Sequence, residues 1–166
     1  MSIEICDITA EPIEPSAAFV RRCFQTVADE MGITPERAPR YTAFITDERL
    51  AEERDRGAIF YGFFTGGTQA GFVTLEQEER GWFMKRLAVL PEYRSRGIGR
   101  KLVDHILNQA RQRGIDRLHI GIVNEQSGLK DWYVRLGFVE YQVFEIPSLP
   151  FTVSLLSINL NGAEGG

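Results

Sequence analysis

LAVLPEYRSRGIGRKLV, residues 87–103, joins an apolar run, a cation-rich glycine turn and the start of an amphipathic pattern within seventeen positions. The run from Arg86 to Leu90 is strand-like, and Pro91 ends it. Arg94, Arg96, Arg100 and Lys101 then set four cationic side chains around Gly97 and Gly99. The first amides of a helix have no intrahelical acceptor. The aligned peptide dipoles add partial positive charge there, and a glycine lets an anion approach the backbone without meeting a Cβ. A strand, this turn and a helix start together describe a seat for a phosphate or pyrophosphate. The spacing excludes two common phosphate motifs. GxxxxGK[ST] is absent, and Arg100-Lys101-Leu102 after Gly99 breaks GxGxxG. Taken alone, the turn also reads as a tight connection with a solvated basic face.

Downstream, Ile98, Leu102, Val103, Ile106 and Ala110 recur at helical spacing, and Gly114 closes the helix. Residues 117–123 form a strand with apolar Leu118, Ile120 and Ile122. A strand–helix–strand unit implies a parallel pair. Leu129, Trp132, Tyr133 and Leu136 follow the i, i+3, i+4, i+7 pattern of another helix. Residues 138–146 and 151–160 make two last strands.

Upstream, AIFYGFF (58–64) and AGFVTLE (70–76) flank Thr65-Gly66-Gly67-Thr68, a hairpin signal. Glu76 to Gly81 reads as a second turn before a strand over 82–90. Residues 2–9 make a first strand. Glu14-Pro15-Ser16 opens a helix whose face is Phe19, Cys23, Val27 and Met31, with Gly32 at its end. A proline-containing loop over 33–41 leads to a charged surface helix, DERLAEERDR, capped by Thr46. The order β-α-α-β-β-β-α-β-α-β-β predicts the α/β (α+β) class: a mixed, mostly antiparallel sheet of about seven strands with about four helices on its two sides. One domain is expected over residues 1–160, with a flexible tail at 161–166.

The chain has 166 residues, 43% of them hydrophobic and 25% charged, which suits one globular domain. Net charge of −4 argues against a nucleic-acid partner, which needs a basic face. No apolar run approaches the ~20 residues of a membrane span, and the acidic, strand-like N-terminus does not read as a leader. Cys6 and Cys23 show no CxxC or Cys/His metal spacing. They read as two buried thiols of a cytoplasmic protein, with a disulfide as the less favoured pairing. His105, on a helix and exposed, and His119, in a strand, have no Ser or Cys partner in a recognisable motif, so a nucleophilic triad is not expected.

The stretch at 87–103 resembles the acetyl-CoA motif of the GNAT superfamily of N-acetyltransferases. That pattern is [QR]-x-x-G-x-[GA] after an apolar strand, matched by Arg94-x-x-Gly97-x-Gly99 with Pro91 in place. A second segment, VNEQSGLKDWYVRLGFVEY (123–141), resembles the family's other cofactor segment through Asn124, Tyr133 and Leu136-Gly137-Phe138. Two motifs in the right order extend the resemblance over residues 1–160. It implies a sheet splayed between the fourth and fifth strands, with the pantetheine arm of acetyl-CoA in the gap. Main-chain groups of Leu87, Ala88 and Val89 would bond that arm. The segment Arg94, Ser95, Arg96, Gly97, Ile98, Gly99 and Arg100 would hold the pyrophosphate, and Asn124 would contact the cofactor. Asn124 and Tyr133 stand nine positions apart, two more than is commonest in the family.

The resemblance implies acetyl transfer to a primary amine, on a small molecule, peptide or protein, in a ternary complex without metal. Such a reaction needs a base for the amine, a donor for the oxyanion and an acid for the thiolate. Tyr133 matches the family's acid, and the Val89 amide would polarise the thioester. Many relatives place the base, a Glu, on the fourth strand. Here that strand reads Trp82-Phe83-Met84-Lys85-Arg86, and Glu76 is the nearest substitute, directly or through water. Its alternative is a turn carboxylate. The segments 31–44 and 144–153 would form the acceptor site, with Tyr41, Phe44 and Trp82 as candidate lining. A homodimer is common in the family. The competing reading is a CoA-binding sensor or interaction module without turnover.

Overall fold

Five antiparallel pairings and one parallel pairing build a seven-stranded sheet in the computed structural model, which describes residues 2–147 and 149–161. The strands are β1 (Ile3–Asp7), β2 (Ile59–Thr65), β3 (Thr68–Glu78), β4 (Gly81–Val89), β5 (Arg117–Val123), β6 (Val139–Glu145) and β7 (Thr152–Asn159). The helices are α1 (Ile13–Met31), α2 (Asp47–Asp55), α3 (Ile98–Gln112) and α4 (Ser127–Arg135), with short 3₁₀ turns at Thr42–Phe44 and Pro91–Tyr93. Across the sheet the order is β1-β2-β3-β4-β5-β7-β6, so the last strand inserts beside β5. The expected element order and mixed sheet are both present. Of the expected tail, residues 162–166 lie outside the described residues.

Four local expectations change. β3 continues past Glu76 because the ladder does: Glu76 faces Phe83, Gln77 faces Trp82 and Glu78 faces Gly81. Pairing thereby overrides the poor strand propensity of the acidic run. On α1 the buried positions are Ser16, Ala17, Val20, Cys23 and Ala28, not a strict every-fourth row. With 3.6 residues per turn, an i, i+4 row drifts around the helix and leaves the core. α2, expected at the surface, buries Leu50 completely and Glu53 almost so. Cys23 is buried but Cys6 is half-exposed, because β1 is an edge strand; both thiols are free.

The helices divide between the two faces. Ala17, Val20, Cys23 and Leu50 of α1 and α2 pack on Phe60, Phe72 and Ala88. Leu102, Val103, Ile106 and Ala110 of α3, with Tyr133 of α4, pack on Val73, Leu75, Met84, Leu118 and Ile120. β3 is covered on both sides, which is why Ala70 to Glu76 is an unbroken buried run. Gly71 lets α3 settle onto it. A Cβ there would stand 2.9 Å from Leu102 Cδ1 and 3.2 Å from Ile98 Cγ2.

The parallel ladder between β4 and β5 holds only at Trp82↔Leu118 and Phe83↔His119, and beyond it the strands diverge. The divergence coincides with a β-bulge. On the β3 side of β4, Phe72 faces Ala88 but Thr74 faces Lys85, so β4 carries one extra residue. Arg86 lies in the bulge with φ +56°, a left-handed conformation costing a non-glycine residue roughly 1–2 kcal/mol. Its guanidinium is held on three sides. Nε donates to Glu53 Oε1 at 3.0 Å, Nη2 to Glu53 Oε2 at 2.5 Å, and Nη1 to Thr42 Oγ1 at 2.9 Å. The two charged side chains are only 4% and 11% exposed. Burial alone pushes the Glu53 carboxyl up. The hydrogen bonds and charge of Arg86 overcome that and leave its pKa below the ordinary value.

Two outcomes follow. Glu53→Gln leaves Arg86 buried without its counter-charge, and urea unfolding should record a loss of about 3–5 kcal/mol at neutral pH. A lowered folded-state pKa contributes stability above the unfolded value, near 4.5, and that contribution is lost as pH falls through the folded one. The acid limb of the stability curve should therefore flatten in Glu53→Gln. Separately, Gly71→Ala overpacks the α3 contact and should cost roughly 1–3 kcal/mol, read as a lower melting temperature.

Candidate active site

The turn at residues 91–98 arranges its main chain around an open space. Ser95 and Gly97 are both left-handed, with φ +64° and +81°. A Cβ at Gly97 would meet nothing within 4 Å, so its outer side is free. α3 has no side-chain cap and no acidic residue in its first turn. Its leading amides and its dipole therefore face the hollow formed by Ser95, Gly97, Ile98, Gly99 and Arg100 over Trp132. Arg96 lies over the Tyr93 ring at 5.2 Å, and Arg100 pairs with Asp104 at 3.3 Å. Among the described residues neither Arg96 nor Lys101 has an acidic partner, so positive charge is in surplus. The donor set fits a pyrophosphate.

Arg94, the first residue of the motif, turns the other way. Its Nε donates to the Val89 carbonyl at 3.0 Å, Nη1 to Thr26 Oγ1 at 3.0 Å and Nη2 to the Cys23 carbonyl at 2.9 Å. The guanidinium ties the turn to α1 and occupies one of the Val89 main-chain groups expected to bond a ligand.

From the turn, a trough follows β4. A hollow of about 260 Å³ at the turn shares Val89, Arg94 and Trp132 with a groove of about 480 Å³ beside Leu87, Ala88 and Leu129. That groove shares Phe24, Leu87 and Leu129 with a cavity of about 270 Å³. The cavity occupies the splay, between Met84–Leu87 of β4 and Ile120–Val123 of β5. The edge of β4 that faces β5 has no ladder partner there. An extended, amide-bearing chain fits such an edge.

Tyr133 stands at the cavity wall and is 4% exposed. Among the described residues nothing hydrogen-bonds its hydroxyl. Burial pushes its pKa above the ordinary phenol value, so it carries its proton at neutral pH and is a proton donor. Cys23 lines the groove, but burial pushes its thiol up to about 12, which leaves no thiolate at neutral pH.

On the side of α1 and α2 the cavity opens past Phe24, Tyr41, Thr42, Glu78 and Lys85. Lys85 Nζ is 2.7 Å from Glu78 Oε2 and 3.7 Å from Glu76 Oε1. Glu76 is 7% exposed and accepts from Thr74 Oγ1 at 2.9 Å. Burial raises its pKa and the Glu53 charge adds to that, while Lys85, Thr74 and Arg86 hold part of the rise back. Glu76 is thus a buried strand carboxylate, not a turn residue, and it neighbours Lys85, which lines the cavity as Glu76 does not. Glu78, on the cavity wall itself, was hidden in the sequence by the acidic run 76–79, where only the register tells wall from turn.

The remaining candidates spread out. The Asn124 amide donates to Thr152 Oγ1 at 3.0 Å and its oxygen accepts from Lys130, so it joins the end of β5 to β7 and α4. Tyr41 meets Phe24, Phe44 and Phe151 edge-on at 5.9–6.4 Å, and with Phe24 it lines the cavity. Trp82 packs on the opposite face, against the α3 core. His105, expected exposed, lies against Tyr61 at 4.6 Å, and its Nε2 is buried without a partner among the described residues. His119 hydrogen-bonds the Tyr141 hydroxyl at 2.8 Å, away from any nucleophile.

Comparison with known proteins agrees with this geometry. The chain is similar to the PaiA N-acetyltransferase of Thermoplasma acidophilum, solved in complex with coenzyme A: TM-score 0.75, 23% identity, 96% of this chain and 99% of that one. It is 33% identical over 64 residues to tRNA(Met) cytidine acetyltransferase TmcA 2 of Saccharolobus solfataricus, covering 39% of this chain and 8% of that protein. It is 33% identical over 82 residues to "Probable N-acetyltransferase camello" of Xenopus tropicalis, covering 46% of this chain and 37% of that protein. The matches thus span well under half of either curated relative. The sequence model described as "Acetyltransferase (GNAT) family" matches residues 22–138, most of the chain. With the splayed sheet and the uncapped α3 turn, that match makes this chain a member of the GNAT acetyltransferase family.

Proposed function

We propose that the protein transfers an acetyl group from acetyl-CoA to a primary amine, on a small molecule or a peptide or protein, by direct attack in a ternary complex. The observation that carries this reading is the single trough from the α3 amides, along the unpaired edge of β4, to the phenol of Tyr133. Residues Ser95 to Arg100 take the pyrophosphate. Main-chain amides of Leu87 to Val89 take the pantetheine arm and the thioester carbonyl. Arg94 and Asn124 position these groups from behind. Tyr133 protonates the departing thiolate, and Glu76, reached past Lys85 and Glu78, accepts the proton of the acceptor amine. An alkyl amine with pKa near ~10 is mostly protonated at neutral pH, so that acceptor is required. The high pKa of Cys23 supports direct attack over an acyl-enzyme. The two free thiols suit a reducing compartment, and action in the cytoplasm belongs to this reading.

A CoA-binding module without turnover is the second reading. It is favoured by one feature: Glu76 does not line the cavity, and β4 offers no carboxylate of its own.

A melting-temperature titration with acetyl-CoA, CoA and ATP separates the cofactor. At 100 times its dissociation constant a ligand stabilises the fold by about 2.7 kcal/mol. Both CoA species should raise the melting temperature and ATP should not; a flat response to CoA rejects both readings. Turnover with an amine panel then separates enzyme from module. Tyr133→Phe should keep CoA binding and lose roughly 10²-fold or more in kcat. Glu76→Gln should lower kcat and remove the acidic limb of its pH profile. A raised folded-state pKa means that ionised Glu76 opposes folding above its unfolded value. The Gln variant should therefore melt no lower than the wild type at neutral pH.

A further inference from the structure

We propose that Lys85 is a self-acetylation site: with no acceptor bound, its side chain occupies the acceptor's place and takes the acetyl group. This rests on the acetyl-transfer reading above. Lys85 lies in β4 between Phe83, the last residue paired to β5, and the bulge at Arg86. Its side chain lines the same cavity as Leu87 and Tyr133 and is 28% exposed. Among the described residues it is the only primary amine on that wall.

Composition sharpens the point. The chain has three lysines, at 85, 101 and 130, against sixteen arginines. An ion pair with two carboxylates is served as well by arginine, whose planar fork matches carboxylates and never loses its proton. Only lysine can become a nucleophile. Lys101 is exposed on the first turn of α3, and Lys130 is paired with Glu140 at 2.5 Å. At 85 the ammonium is held by Glu78 and Glu76, and burial makes the Glu76 carboxylate a readier proton acceptor than an exposed one. The charges facing Lys85 are therefore the carboxylates of Glu76 and Glu78, with Glu53 and the Arg86 guanidinium behind them.

The step balances with acetyl-CoA as the sole co-reactant. The Lys85 ammonium gives a proton to Glu76. Its lone pair attacks the thioester carbonyl carbon and a C–N bond forms. The tetrahedral intermediate collapses, the C–S bond breaks, the thiolate takes the Tyr133 proton, and the second proton of the nitrogen passes to the Tyr133 oxygen and restores the phenol. The products are Nε-acetyl-Lys85, CoA and one proton. The event is limited to one per chain, removes the cation shared by Glu76 and Glu78, and sets an acetamide in the cavity mouth. A bound acceptor excludes it by occupying the same space.

The test incubates the full chain with acetyl-CoA carrying ¹³C in its acetyl group, without acceptor. Peptide mass spectrometry then reads positions 85, 101 and 130. Exposed Lys101 reports the uncatalysed rate. Label should enter Lys85 at least about a hundredfold faster than Lys101, the lower range for general acid–base assistance. It should stop at one equivalent, and slow by a similar factor in Tyr133→Phe. Lys85→Arg keeps the ion pairs and should take no label above the Lys101 background. Label at Lys85 no faster than at Lys101, in protein whose melting temperature rises with acetyl-CoA, overturns the proposal and leaves the parent reading standing. No rise with acetyl-CoA removes the parent reading, and this one with it.

Discussion

Arg86 is left-handed in the middle of a strand, and a buried ion pair with Glu53 keeps it there. The residue supplies the extra position that bulges β4, and the bulge sits where β4 and β5 part. Without the pair, relaxing Arg86 to an ordinary strand conformation would relieve roughly 1–2 kcal/mol. With it, leaving the bulge would strand two charges in the α2 core, and that penalty is larger. α2, whose composition is almost wholly polar, is thus tied to the bulge that opens the sheet through one carboxylate.

The same economy of partners runs along the trough. Side chains that the motif would assign to a ligand are partly engaged by protein: Arg94 with α1 and the Val89 carbonyl, Arg100 with Asp104, Asn124 with Thr152 and Lys130. What remains open is mainly backbone: the first amides of α3 and the β5-facing edge of β4. Main-chain donors carry no rotamer entropy and are held by the elements that bear them, which suits a co-substrate bound in one pose. The cavity at the other end of the trough is different in kind. Carboxylates, a lysine and aromatic rings face it, and its chemistry depends on which of those charges are neutralised by one another.

Much was legible in the chain itself. Residues 87–103 state strand, glycine turn and helix through an apolar run, a proline and paired glycines, because those are local backbone requirements. Element order and sheet type follow from periodicity in the same way. The family resemblance rested on spacing within two short segments, and the family match over residues 22–138 agrees with it. Tyr133 was named from its motif and stands at the cavity wall.

Other features have no local signature. That Arg86 rather than a glycine is left-handed depends on Glu53, thirty-three residues earlier. That Glu76 is buried and Glu78 lines a cavity depends on register with β4, since a one-residue shift exchanges the two faces. Sequence by itself determined the elements, their order and the glycine turn before α3, because these arise from contacts within a few residues. Tertiary structure alone decided which charges are buried together, where the sheet opens and which amine stands beside Glu76. Those depend on distances between segments far apart in the chain, and on the dielectric that their packing creates.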